Sequence, residues 1–197
     1  MPKLWDETIE EHRRSVREAT LDVTAALVAE RGLRAVTMSE IAEKTGIGRA
    51  TLYKYYPDVE TILSAWHLRQ ITSHLAHLSQ IRNRAGTGPE RLETVLAAYA
   101  EIQRQRVRHH HKQPHAGELV VMLHTDPLVD EARRELHGII QDLLSDAIAA
   151  GAVRDDIPVG ELAGYCIHAL EAAGHAPSDE SVAHLVALTL AGIQVSS

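Results

Sequence analysis

The side chains best equipped for chemistry gather in one stretch, residues 37–56, which reads TMSEIAEKTGIGRATLYKYY. Lys44, Arg49 and Lys54 are its cations, and no carboxylate occurs between Lys44 and Asp58. Tyr53, Tyr55 and Tyr56 are three of only five tyrosines in a chain with two Trp and no Phe. A guanidinium can pair bidentately with guanine, and Thr and Tyr hydroxyls can reach phosphate oxygens. The chemistry this predicts is recognition of a polyanion rather than bond making.

Histidine and cysteine are the other candidates. Of 13 histidines, 12 follow residue 66, and His109, His110, His111 and His115 cluster near an expected helix end. Neutral imidazole binds zinc or copper well. Consecutive histidines on a helix point in different directions, however, and the nearest carboxylate, Glu118, is distant in sequence. His74 and His77 lack a third ligand. We expect no metal site and no cofactor; the cluster reads as a solvated one opposing the negative end of a helix dipole. One cysteine, Cys166, excludes an intrachain disulfide, and it reads as packing. There is no Ser/His/Asp spacing, no phosphate-cradling glycine loop and no HExxH, so an enzyme is not expected.

These residues must be positioned by helices. Apolar residues recur every three or four positions and alternating runs are absent, which predicts an all-α fold. The breakers divide the chain into nine helices: 9–31, 37–45, 49–56, 59–82, 90–110, 118–124, 126–150, 159–173 and 178–193. Thr37 and Glu40 fit a capping box. Gly46-Ile47-Gly48 is a tight turn between two short helices, with Gly46 where a helix end needs positive φ. Ile41, Ala42 and Ile47 supply one inner face, and Leu52 and Tyr56 the other. That is the pattern of a helix-turn-helix, whose second helix presents Arg49, Ala50, Tyr53 and Lys54 outward.

The charge balance limits how such a head works. The chain of 197 residues carries 20 Lys/Arg against 27 Asp/Glu, a net charge of −7. Through residue 66 the count is nine Lys/Arg against eleven Asp/Glu. Coating nucleic acid by bulk positive charge is excluded, so binding must rest on local geometry. With 45% hydrophobic residues the chain is expected to be globular. Its start lacks a signal-like apolar core and no run is long enough to span a membrane, which predicts a cytoplasmic protein without membrane partners.

Residues 13–63 resemble the DNA-binding domain of the TetR family of bacterial transcriptional regulators. The resemblance is carried by AERG at 29–32, Thr37, EIAEKTGIG at 40–48 and ATLYKYY at 50–56. It implies a three-helix head over 1–58 and a six-helix effector-binding and dimerisation domain over 59–197. It implies base contacts from Ser39, Arg49, Ala50 and Tyr53, and phosphate contacts from Thr37, Thr51, Lys54 and Tyr55, all on operator DNA. The family often has Ser where Gly48 stands and usually Lys where Val59 stands. Those losses predict modest affinity and a shallow salt dependence.

A dimer would double the contact of one short head. The last two helices offer apolar stripes, Leu162, Cys166, Ala169, Leu170 and Ala173 on one, and Val182, Leu185, Val186, Leu188, Thr189 and Ile193 on the other. Monomer core is the alternative use of the same residues. The resemblance implies a homodimer built on these helices, and a small-molecule effector bound in the second domain. Amphipathic groups within apolar faces, Trp66, Tyr99, Gln103, Met122, His124 and His168, are the candidate wall, and a mainly apolar ligand is expected. The lead reading is a ligand-responsive repressor. The alternatives are a DNA-binding protein of the same fold without an effector, and an all-helical protein working through its histidines.

Overall fold

The computed structural model describes residues 3–111 and 127–195, with side chains over 10–108 and 129–195. The described chain is helical: α1 (Lys3–Arg31), α2 (Met38–Thr45), α3 (Arg49–Tyr55), α4 (Val59–Arg82), α5 (Gly88–His111), α6 (Pro127–Ala149), α7 (Val159–Glu171) and α8 (Asp179–Ile193). Short 3-10 turns follow α1 and α7, at Leu33–Ala35 and Ala172–His175. Among the described residues the only β pairing is an isolated bridge, Val153 with Gln194. The helix expected over 118–124 lies outside the described residues. Several boundaries differ from expectation, among them the start of α5, at Gly88 rather than residue 90. The first helix starts at Lys3 rather than residue 9, and α7 gives way to a 3-10 turn at Ala172.

The chain forms two compact units, the first running through Gln70 and the second starting at Ile71. The reason is the first half of α4. Val59, Ile62 and Leu63 are buried in the core of the first unit, with Ala65 and Trp66 packed against it. The rest of that core comes from Leu21, Leu27 and Val28 of α1, Met38, Ile41 and Ala42 of α2, and Leu52 of α3. Two buried hydroxyls on α1 are satisfied within the helix: Thr20 donates to the Val16 carbonyl at 2.8 Å and Thr24 to the Thr20 carbonyl at 2.7 Å. Arg69 of α4 pairs with Asp22 of α1 on the surface of the same unit.

The second unit has its own core, from Leu75, Leu78 and Ile81 of α4 through Leu92, Val95 and Leu96 of α5 to Ile140, Leu143 and Leu144 of α6. Helices α7 and α8 complete it. The 3-10 turn between them packs closely on α5: a Cβ at Gly174 would lie 2.6 Å from Val107 Cγ2. Inside this unit most of the residues expected to form a dimer face turn inward, Ala169 and Leu185 are partly buried, and Leu188 is exposed. Leu162, Cys166, Leu170, Ala173, Val182, Val186, Thr189 and Ile193 are all buried within the chain's own core. The sequence could not decide this, because α8 is apolar on nearly every side and such a helix has more than one face to hide.

Helix ends are fixed by side chains. Thr37 caps α2, accepting the Glu40 N–H at 3.3 Å, but the reciprocal arm is absent: the Glu40 carboxylate accepts from Arg31 instead. A full capping box closes at the start of α5. There Glu90 accepts the Thr87 N–H at 2.9 Å and Thr87 accepts the Glu90 N–H at 3.4 Å. Asp58 caps α4 by accepting both the N–H and the hydroxyl of Thr61, at 2.7 and 2.6 Å. Those bonds hold the Asp58 carboxyl below its ordinary range. A depressed carboxyl contributes stability above its unfolded-state pKa and loses it as pH falls through the folded value. Asp58→Ala should therefore cost about 1 kcal/mol at neutral pH. In urea titrations the difference from wild type should shrink as pH falls through the carboxylate range; a pH-independent difference would contradict the cap.

Candidate nucleic-acid interface

The two short helices are joined by a turn that only a narrow set of residues can make. Gly46 ends α2 in the left-handed region, φ 69° and ψ 12°, and its N–H returns to the Glu43 carbonyl at 3.3 Å. A residue with a Cβ adopts that conformation at a cost. Gly48 then opens α3 with extended backbone, and its carbonyl accepts the Leu52 N–H at 2.9 Å. Only Leu52 of α3 is buried, at 1% exposure. Tyr56 caps the helix and is half-buried against the same core.

Consequently the remaining α3 side chains point to solvent. Arg49, Ala50, Thr51, Tyr53, Lys54 and Tyr55 are exposed, with Tyr53 at 48% and Tyr55 at 47%. Thr37 and Ser39, at the start of α2, are exposed as well. All eight residues expected to meet DNA thus lie on the outside of one unit. Two large aromatic side chains so exposed on a seven-residue helix are not serving the monomer's core.

One contributor went unnoticed in the sequence. Arg17 of α1 holds its guanidinium 5.8 Å from the centre of the Tyr55 ring. The signal available was the spacing of Arg13 and Arg17, four apart on one helix face.

The residues expected to hold an effector are not brought together as a set. Tyr99 and Gln103 are, one turn apart on α5 and both about 5–6% exposed in the second unit. Burial, with Glu171 nearby, pushes the Tyr99 phenol up to about 12, against the opposing hydrogen bond from Gln103. The Gln103 Oε1 has no hydrogen-bond partner. Trp66 instead packs against the first unit's core. His168 faces solvent at 75% side-chain exposure and meets Glu171 at 3.3 Å, so it lines no interior wall. Met122 and His124 lie outside the described residues. A recess of about 520 Å³ runs along α5 and α8 of the second unit, floored by Val182, Val186 and Leu190. The buried Arg104 lies in it, paired with Asp179 and, at 3.7 Å, with Glu101.

No group of three His, Cys, Asp or Glu among the described residues could hold a metal ion. The side chains of His109, His110, His111 and His115 lie outside the described residues. Burial lowers the pKa of His74, with Arg106 and then His77 adding to it. Cys166 is wholly buried, and burial pushes its thiol up to about 12. No helix among the described residues is long and apolar enough to cross a membrane.

The start of α3 has no side-chain cap, because Gly48 stands at that position. A Cβ there would meet only Thr51 Oγ1 at 3.6 Å, an ordinary contact. Gly48→Ser should therefore stabilise the first unit by about 0.5 kcal/mol, from a new cap and a less flexible unfolded chain. A chemical-denaturation midpoint that falls would contradict the described turn.

Comparison with known proteins agrees with this geometry. Residues 21–65 match the model for bacterial regulatory proteins of the tetR family, and residues 94–195 match that for the SbtR-like transcriptional regulator C-terminal domain. The HTH-type transcriptional repressor KstR2 of Mycobacterium tuberculosis is 26% identical over 156 residues, covering 74% of this chain and 72% of that protein. A TetR/AcrR-family regulator from Thermobifida fusca shares the fold with a TM-score of 0.71 at 19% identity, over 91% of this chain and 98% of the other. SmeT, solved as a complex with triclosan, shares it with a TM-score of 0.66 at 17% identity, over 93% of each chain. With both of its units matched and its relatives regulators rather than enzymes, the chain belongs to the TetR family of transcriptional regulators.

Proposed function

We propose that the protein is a homodimeric repressor that seats α3 in the major groove of an operator and is released by a small, mainly apolar effector. The observation that carries this reading is the outward presentation of every α3 side chain except Leu52. Arg49, at the first position of the helix, is placed to meet a base edge, with Ala50, Tyr53 and Ser39 beside it. Thr37, Thr51, Lys54 and Tyr55 surround these and suit phosphate contacts. Repression, rather than activation, follows KstR2, a named repressor among the relatives.

The dimer reading rests on what α7 and α8 leave outside. Leu188 is 69% exposed, Tyr165 46% and Val195 54%, and the outer positions Ala187, Ala191 and Gly192 are also exposed. Tyr165 lies across Gly192, where a Cβ would fall 2.5 Å from its hydroxyl. An apolar surface with small residues and a tyrosine suits a second copy of the chain. Of the stripes that the sequence suggested, Leu188 belongs to this outer surface, while Val182, Val186, Thr189 and Ile193 are buried in the chain's own core. The effector reading rests on the buried Tyr99–Gln103 pair in an otherwise apolar core, with an amide oxygen unsatisfied. A mainly apolar molecule with one hydrogen-bond donor suits it. SmeT, which shares the fold, is solved as a complex with the small molecule triclosan.

Arg49→Ala should weaken operator binding by about 1–3 kcal/mol and relax selection at one base position. Gel-shift titration against an operator mapped by footprinting reads both effects, and unchanged affinity and selectivity would refute the docking. Leu188→Glu should convert a sedimenting dimer to monomer at micromolar concentration and lower operator affinity with it. A wild-type protein that sediments as a monomer would remove the dimer from the proposal.

A further inference from the structure

Beside the recognition helix, the first unit has a recess of about 370 Å³ between α1 and the turn that leads into α3. Its walls carry His12, Arg13 and Arg17 from α1, and Gly48, Thr51 and Tyr55 from the other side. No Asp or Glu lines it, in a chain whose net charge is −7. The recess of the second unit, by contrast, is lined by Glu93, Glu101 and Asp179.

We propose that Arg17, flanked by Arg13, is a further phosphate-contacting site, extending the DNA-binding surface from α3 onto α1. This rests on the docking of α3 described above, since Thr51 and Tyr55 belong to both surfaces. Arg17 is exposed, and among the described residues no carboxylate pairs with it. Its guanidinium carbon lies over the Tyr55 ring, 5.8 Å from the centroid. A cation–π contact consumes no N–H donor, so the group keeps its donors for a bidentate partner such as phosphate. The same contact steadies Tyr55. Arg13 lies one turn earlier and bonds Glu10 at 2.7 Å in an exposed pair. Such a pair is weak in water, so a phosphate can replace the carboxylate. Gly48 has no side chain to cover the recess, so a phosphate can approach the backbone there. Continuity with α3, two arginines and the lack of acid all point to duplex DNA as the occupant, not to a protein or a small anion.

Counterion release gives the test. A fluorescein-labelled, mixed-sequence duplex of about 30 base pairs is titrated with wild type, Arg17→Gln, Arg17→Lys and Arg13→Gln over a KCl series, followed by anisotropy. Arg17→Gln should lower the slope of log K against log[KCl] by about one, and Arg13→Gln by less, because Glu10 competes for it. Affinity for the mapped operator should fall by the same factor as for mixed sequence, leaving the ratio of the two unchanged. Arg17→Lys should keep the slope. Thermal midpoints within about 2 °C of wild type would show that the head is folded, as expected for exposed positions. Unchanged slopes in both Gln variants would overturn the proposal. So would a loss confined to the operator with the slope intact, which would make Arg17 a base or packing residue. Failure of the docking itself reads differently: the wild type would show no salt-dependent binding and Arg49→Ala would have no effect.

Discussion

The recognition surface depends on the burial of one leucine. A seven-residue helix cannot hold itself together in water, because nucleation costs more than so few hydrogen bonds return. Helix α3 is held by Leu52, which is 1% exposed among side chains from α1, α2 and α4. Gly46 sets the angle at which α3 leaves α2, Tyr56 fixes where it stops, and Asp58 fixes where α4 begins. Given those constraints, the outward direction of Arg49 and Tyr53 is settled by helical geometry. The functional surface is a by-product of how a small core is closed.

Charge is handled locally throughout. The body is acidic, yet the face from Lys44 to Tyr55 is free of carboxylates and α1 adds arginine at its side. Several other cations pair with carboxylates: Arg69 with Asp22, Arg82 with Asp142, Arg91 with Asp146 and Arg154 with Asp156. These are exposed pairs of small worth to stability.

The head was readable in the sequence because its signals are local. A glycine in a turn, a threonine at a cap and apolar residues four apart each fix their own neighbourhood. The second unit was less readable for a physical reason. When a helix such as α8 is apolar on most sides, periodicity does not say which side faces its own chain, so Val182, Val186 and Ile193 were taken for a partner's surface. Leu188, grouped with them in the sequence, lies on the opposite side and is left exposed. The Thr87–Glu90 box was hidden by Gly86, Gly88 and Pro89, which read as loop. His168 was misjudged because a polar residue in an apolar stretch can sit at the edge of a face as well as within it. Arg17 escaped notice since its partner is 38 positions away, and only the fold brings it to Tyr55.

The lone thiol of Cys166 has a practical consequence. It is sealed in the second unit and held protonated far above neutral pH. Oxidants and alkylating reagents attack the thiolate, and only when they can reach it. The folded chain needs no reductant in storage, and its self-association cannot run through a disulfide. A covalently linked band on a non-reducing gel would therefore report molecules that have opened, which gives the protein a native gauge of its own unfolding.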